Sequence, residues 1–285
     1  MVSMLLPLLL SAQKLPEDIQ AEKVAGGLKY ADGIVWSRDG FLVFADAVKR
    51  EVYRLDAGAP PKPTKEDENG AQGLAYDLQG RLYFCESMGR RIVRLDRRGK
   101  MDTVIEGFEG KKLNSPNDIV VRKDGQIYFT DPAFASAVDT RELDFNGIFH
   151  INPKGEVEAV ARWKTRPDGI AFSNDGKTLF VTDSDRHAVV AFDLDGRGGA
   201  ANQRDVITGI KGVPLGIRTD VTGRFYVCAR GLFIYTPAGK LEVELFKDEV
   251  VTNCAFGDAD FETLYAATPK AVYKLRLNVK GAVQY

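Results

Sequence analysis

The sequence predicts an all-β fold, a six-bladed β-propeller with four-stranded antiparallel blades around a central channel. Three observations carry this. A unit recurs six times, starting at Asp32, Gln72, Asn117, Asp168, Leu215 and, more loosely, Thr252, with spacings of 40, 45, 51, 47 and 37 residues. Repeats of this length built only from strand-type segments mark propellers. In the first five units a glycine stands eight residues after the start, at Gly40, Gly80, Gly125, Gly176 and Gly223, where a tight hairpin needs a positive φ. Finally, the sixth unit lacks a fourth strand of its own. The stretch Ala21 to Gly27, ahead of the first unit, is free to supply it and close the ring, which removes the exposed sheet edges that invite aggregation.

Within each unit the elements follow in a fixed order. A short apolar stretch such as Ile34-Val35-Trp36 or Ile170-Ala171-Phe172 reads as a buried inner strand. The glycine turn follows. A second strand comes next, as in Leu42-Val43-Phe44 and Leu82-Tyr83-Phe84. A third is found at Val52 to Leu55, Ile92 to Leu95, Ile148 to Ile151, Val189 to Phe192, Phe233 to Tyr235 and Val272 to Leu275. A weaker fourth is visible at Thr103 to Ile105 and Val157 to Ala161. None of these segments has helical periodicity. The propeller is expected to span residues 20–285.

Composition narrows the function. The 285 residues carry 39 Lys+Arg against 40 Asp+Glu, a formal net charge of −1. This balance argues against a nucleic-acid or anionic-membrane binder, and a monomer acting on a small molecule is expected. A chain this long buries roughly 75% of its unfolded surface and needs no disulfide or metal to fold. The three cysteines, Cys85, Cys228 and Cys254, include no CxxC pair and read as buried free thiols. Two histidines, His150 and His187, exclude a histidine-rich zinc centre. No GxGxxG, P-loop, HExxH or G-x-S-x-G motif is present. Asp193-Leu-Asp-Gly196 has the look of a calcium loop, but Arg204 stands where its bidentate Glu belongs, so it reads as a turn. At the N-terminus, residues 1–13 include the apolar run Met4–Leu10 followed by Ser11-Ala12-Gln13. It is too short to span a bilayer and reads as a short signal peptide or a disordered end. The first predicts a periplasmic or secreted protein, the second a cytoplasmic one.

The inner strand of each blade lines the channel, so the six starts form a ring around the axis: Asp32, Gln72, Asn117, Asp168, Leu215 and Thr252. Five of the six carry side-chain oxygen. Two carboxylates in one confined channel repel unless protonated or bridged by a cation, and hard oxygen donors suit Ca²⁺ or Mg²⁺. A second acidic set, Asp46, Glu86, Asp131 and Asp183, falls at the end of the second strands. These ends return to the face where the inner strands begin. Singly, each reads as a turn carboxylate; together they mark that face as the site. In the third unit the excursion Pro132 to Asn146 is long enough to overhang the channel, and Lys111 to Pro116, including Asn114, leads straight into Asn117. Pro116, Pro167 and Pro214 each fix the backbone just ahead of a ring position. Lys112 and Arg166 lie near the ring in sequence, with a solvated surface role the simpler reading of each.

Three motifs, Leu113-Asn-Ser-Pro-Asn-Asp118 with Tyr128-Phe-Thr-Asp-Pro132, Arg166-Pro-Asp-Gly-Ile-Ala-Phe-Ser173, and Val251-Thr-Asn-Cys-Ala-Phe-Gly257, resemble the gluconolactonase family that includes regucalcin (senescence marker protein). The resemblance runs from about Gly26 to the C-terminus. It implies a divalent ion on the axis, commonly Ca²⁺, with Mg²⁺ or Zn²⁺ as alternatives, and metal-dependent hydrolysis of a sugar (aldono) lactone. Members hold the ion with Glu, Asn, Asn and Asp from four blades. In this chain those places resemble Asp32, Asn117, Asp168 and Leu215, so the metal ligands expected are Asp32, Asn117 and Asp168. The family Asp is lost at Leu215, while the formal ligand charge stays at −2. Asp168 or Asp32 is then expected to activate the attacking water. Gln72, Asn114, Glu86 and Asp131 are expected to meet the lactone substrate. Two alternatives stand beside this reading: an organophosphate (phosphotriester) hydrolase on the same ring, and a non-catalytic propeller that binds a small molecule. Leu215 favours the last.

Overall fold

The computed structural model describes residues 14–66, 69–134 and 140–283. The expectation for residues 1–13 therefore lies outside the described residues, as does the middle of the Pro132 to Asn146 excursion. Six four-stranded antiparallel sheets are arranged as the blades of a propeller. Blade 1 comprises Ala31–Ser37, Phe41–Asp46, Glu51–Asp56 and Lys62–Glu66. Blade 2 comprises Ala71–Tyr76, Leu82–Glu86, Arg91–Leu95 and Met101–Ile105. Blade 3 comprises Ile119–Val121, Ile127–Asp131, Asn146–Ile151 and Val157–Trp163. Blade 4 comprises Pro167–Phe172, Thr178–Asp183, Ala188–Leu194 and Ala200–Ile207. Blade 5 comprises Ile217–Thr219, Phe225–Ala229, Gly231–Tyr235 and Leu241–Leu245.

Blade 6 is assembled from both ends of the chain. Asn253–Gly257, Thr263–Thr268 and Ala271–Arg276 are completed on the outside by Ala21–Gly26. The last pairing is antiparallel, from Ala21 opposite Leu275 to Gly26 opposite Ala271. A shared core welds this blade to the first: Ile34, Trp36 and Phe44 pack with Ala267 and Val272, and the Trp36 and Tyr265 rings stack at 5.5 Å. The expected closure is thus present. The five turn glycines all adopt positive φ, between 67° and 89°.

The top of each inner strand departs from a regular ladder. In blades 1, 2 and 4 the register skips Asp32-Gly33, Gln72-Gly73 and Asp168-Gly169. Their unpaired amides must find other acceptors, and several find them on the next blade. Gly73 N donates to Asn117 O at 2.6 Å, Gly169 N to Leu215 O at 3.2 Å, and Gly216 N to Thr252 O at 3.0 Å. This backbone-to-backbone approach leaves no room for a side chain. A Cβ on Gly33 would sit 1.6 Å from Gln72 O, and one on Gly73 2.5 Å from Asp118 Cα. The residue after the ring position is therefore glycine in four of six blades. Hydroxyls add further ties: Thr130 Oγ1 donates to Asp168 O at 2.6 Å, and Thr252 Oγ1 to Ala31 O at 2.7 Å. These seams hold the ring positions in a fixed circle.

Candidate functional site

The ring positions open into one cavity of about 480 Å³ at the mouth of the channel. Asp32, Gln72, Asn117, Asp168, Leu215 and Thr252 all line it, so the repeat arithmetic placed the ring correctly. Asp32, Gln72, Asn117 and Leu215 are half-buried, while Asp168 is buried and accepts a long 3.5 Å bond from Ser184 Oγ. Asn117 is positioned through its backbone. Its N donates to Thr130 O at 2.9 Å and its O receives Gly73 N, which leaves the side-chain amide directed to the cavity. Two of the three ring prolines are gripped through their carbonyls, Pro116 by Ser87 Oγ at 2.5 Å and Pro214 by Ser184 Oγ at 2.9 Å.

The carboxylates of the ring feel each other. Burial, and then the charge of Asp118, push Asp32 up to about 7, with Asn253 and Arg218 pulling the other way. Burial, followed by the charges of Asp32 and Asp118, raises Asp168 well above the usual carboxylate range. Just below the ring lies a buried ion pair that sequence reasoning missed. Arg218 Nη1 contacts Asp118 Oδ2 at 3.2 Å and donates to Ile217 O at 2.6 Å, while Asp118 Oδ1 accepts Ile119 N and Oδ2 accepts Ile170 N. The available signal was Asp118 itself, which occupies a place that four other blades reserve for glycine. Beneath this pair the channel narrows to a cavity of about 80 Å³ lined largely by apolar residues such as Val35, Val121 and Phe256.

Asp32, Asp118 and Asp168 together with Arg218 carry a formal charge of −2 on the axis when all are ionised, and Arg166 adds a positive charge that acts on Asp168. Hard oxygen donors under like-charge strain suit a divalent cation. Asp32, Asn117 and Asp168 present oxygen donors of this kind to the cavity and Leu215 contributes none, while among the described residues no three His, Cys, Asp or Glu side chains are grouped as a metal site.

The remaining expectations fare differently. Asn114 lines the cavity but is fully buried; its Nδ2 donates to Asp131 O and Phe145 O, both at 3.0 Å. Glu86 and Asp131 do not line it. Glu86 is buried and paired with Arg91 at 2.6 Å, and Asp131 is buried and accepts Asn114 N at 2.8 Å. Asp46 accepts Lys29 N, Tyr30 N and Lys49 N, and Asp183 accepts Arg186 N and the Thr165 hydroxyl. The second acidic set thus anchors turns between strands and blades. The reason is local: a carboxylate at a strand end meets several backbone N–H groups that have no ladder partner. Arg166 is held by Asp185, and Lys112 is exposed. Asp195 closes its turn by accepting Arg197 N and Gly199 N. From the excursion, Phe134 and Thr140 reach the cavity wall, joined by Tyr30, Ser87, Met88, Arg90 and Ser115. Arg90 is tied down by Leu113 O at 2.5 Å and Thr140 O at 3.2 Å. Cys85, Cys228 and Cys254 are buried free thiols.

Fold and site together define a six-bladed propeller with an acidic, oxygen-lined axial cavity. Residues 17–270 match the family described as SMP-30/gluconolactonase/LRE-like region, and the chain belongs to that family. It is similar to a gluconolactonase of Zymomonas mobilis, 28% identical over 91% of this chain and 82% of the relative. Among solved structures it resembles a gluconolactonase of Xanthomonas campestris, with a TM-score of 0.84 and 27% identity, covering 93% of this chain and 92% of that one. A calcium-binding protein, regucalcin, from Agrobacterium tumefaciens shares the fold at a TM-score of 0.78 and 19% identity, covering 92% of this chain and 95% of that one.

Proposed function

We propose that the protein is a lactone hydrolase acting on sugar lactones, with Asp32, Asn117 and Asp168 holding a divalent cation, Ca²⁺ first among the candidates. The observation that carries the reading is the convergence of these three side chains on one cavity in a chain of this family. The ion supplies positive charge beside an ester carbonyl when bound. Asp168 and Asp32 face the same space, and either would orient a water through its second carboxylate oxygen and take the water's proton as it attacks. Asn117 and Gln72 present amides that bind substrate oxygens. Arg218 neutralises Asp118 beneath, so that the ring carboxylates are not driven further toward their neutral forms. The seams between blades hold these groups in place before substrate arrives, which is where preorganised sites gain their advantage.

The test is acid release from a panel of sugar and aliphatic lactones, with Ca²⁺ and then with chelator. Turnover lost with chelator and restored by Ca²⁺ supports the hydrolase and shows that Leu215 is tolerated. Leu215 also favours a second reading, a propeller that binds a small molecule without turning it over. Absence of turnover on every lactone, with binding retained, would select it.

A further inference from the structure

Going round the ring from Asp168 through blades 5 and 6 to Asp32, the wall offers little to a polar ligand. Leu215 has no polar side-chain atom, and the Thr252 hydroxyl is committed to Ala31 O at 2.7 Å and Ala267 O at 3.1 Å. Tyr30 fronts this sector. It stands at the seam between blades 6 and 1, where Leu28 N donates to Lys270 O and Ala31 N to Pro269 O. Its backbone is bolted down on both sides: Tyr30 N donates to Asp46 Oδ1 at 3.1 Å, Lys29 N to Asp46 Oδ2 at 2.8 Å, and Tyr30 O accepts Ala47 N at 3.0 Å. The side chain lines the cavity with Asp32, Asn117 and Asp168. Among the described residues no protein group bonds its hydroxyl, although the backbone around it is fully engaged. A rigidly mounted phenol without a protein partner, at the edge of an acidic cavity, is built to meet something that enters.

We propose that Tyr30 is a specificity-determining residue, whose hydroxyl hydrogen-bonds a ring hydroxyl of a polyhydroxylated cyclic substrate. This rests on the lactone-hydrolase reading for the identity of the substrate, but the contact itself does not need turnover. A phenol both donates and accepts one hydrogen bond, which matches a sugar ring, where neighbouring hydroxyls offer both. A plain aliphatic lactone offers no such partner. Tyr30 thus supplies polar recognition in the sector where Leu215 offers none.

The test compares the full chain with Tyr30→Phe, which removes one oxygen and keeps the ring. Because the hydroxyl has no protein partner, the thermal midpoint is expected to stay unchanged, so lost binding reports the contact rather than the fold. With glucono-1,5-lactone, kcat/KM is expected to fall about fivefold, the usual worth of one neutral hydrogen bond, while δ-valerolactone, which lacks ring hydroxyls, is opened as before. Independently of turnover, a ligand-observed NMR titration with 1,5-anhydro-D-glucitol, which keeps the ring hydroxyls and lacks the carbonyl, should give a Kd about fivefold weaker for the variant. Equal affinity of both proteins for that polyol, absence of binding to the wild type, or an equal loss on both lactones overturns the assignment. A wild type that opens no lactone, yet binds the polyol through Tyr30, defeats the hydrolase reading and leaves the contact standing. Normal hydrolysis with no effect of the substitution does the reverse.

Discussion

Replacing Asp131 by Asn should stabilise the protein at pH 8 and leave it unchanged at pH 4. Asp131 is fully buried; Oδ2 accepts Asn114 N, while Oδ1 has no hydrogen-bond partner. Burial pushes its carboxyl from 3.8 up to about 7, against the opposing pull of the Asn114 N–H and the Arg90 charge. The direction of the pH effect follows from which state holds the proton. Below pH 3.8 the group is protonated folded and unfolded, and costs nothing. Between 3.8 and about 7 only the folded state keeps the proton, so stability falls as pH rises; above about 7 the full cost of a buried carboxylate is in place. The difference of about three pKa units corresponds to about 4 kcal/mol at most. An Asn side chain keeps the acceptor for Asn114 N, removes the charge at every pH and places a donor where Oδ1 lacked a partner. Urea unfolding of both proteins in chelator-containing buffer, from pH 4 to pH 8, measures the difference. Neither Asp32 nor Asp168 is among the charges acting on Asp131, so their own titration cancels between the two proteins. A difference that does not grow with pH, or an Asn variant less stable at pH 8, would refute the reasoning.

Two further outcomes follow from the axis. Arg218→Met should destabilise the fold by about 3–5 kcal/mol, because it strips a buried Asp118 of its partner. Adding Asp118→Asn to that variant should recover most of the loss, and urea midpoints of the single and double variants decide it. Leu215→Asp changes the formal axial charge from −2 to −3 and adds a carboxylate to the ring; calorimetric titration should show tighter Ca²⁺ binding, while the chelated protein should melt lower at pH 8 than the wild type.

Much of this fold is legible in the sequence because a propeller repeats its physics. One glycine turn predicts little, but five in phase fix the inner hairpins, and the missing sixth outer strand points to Ala21–Gly26 at the other end of the chain. The ring was legible for the same reason, since equivalent positions in equivalent blades must lie at equal depth. The second acidic set was harder to read. Asp46, Glu86, Asp131 and Asp183 sit at equivalent strand ends as well, but what decides their role is the number of unpaired backbone N–H groups and arginines nearby, and repeat position does not record that. Tyr30 and Arg218 were missed because each acts through contacts between blades. Tyr30 lies outside any repeat position, and Arg218, in blade 5, lies two blades along the ring from Asp118 in blade 3 and 100 residues away in sequence.

The same contrast explains why the fold does not need a polar side chain at Leu215. Leu215 meets its neighbours through main-chain atoms: its N donates to Cys228 O, and its O receives Gly169 N and the Thr182 hydroxyl. These main-chain bonds of the seam between blades 4 and 5 do not depend on which side chain stands there, while the Leu215 side chain itself packs against the core of blades 5 and 6. The ring position holds structure with its backbone and presents chemistry with its side chain, so one can change without the other. That separation lets the axial chemistry change at a single residue while the seam keeps its main-chain bonds. With Asp32, Asp118 and Asp168 already crowding the axis, each added acid raises the demand for a compensating positive charge, and each acid lost relaxes it.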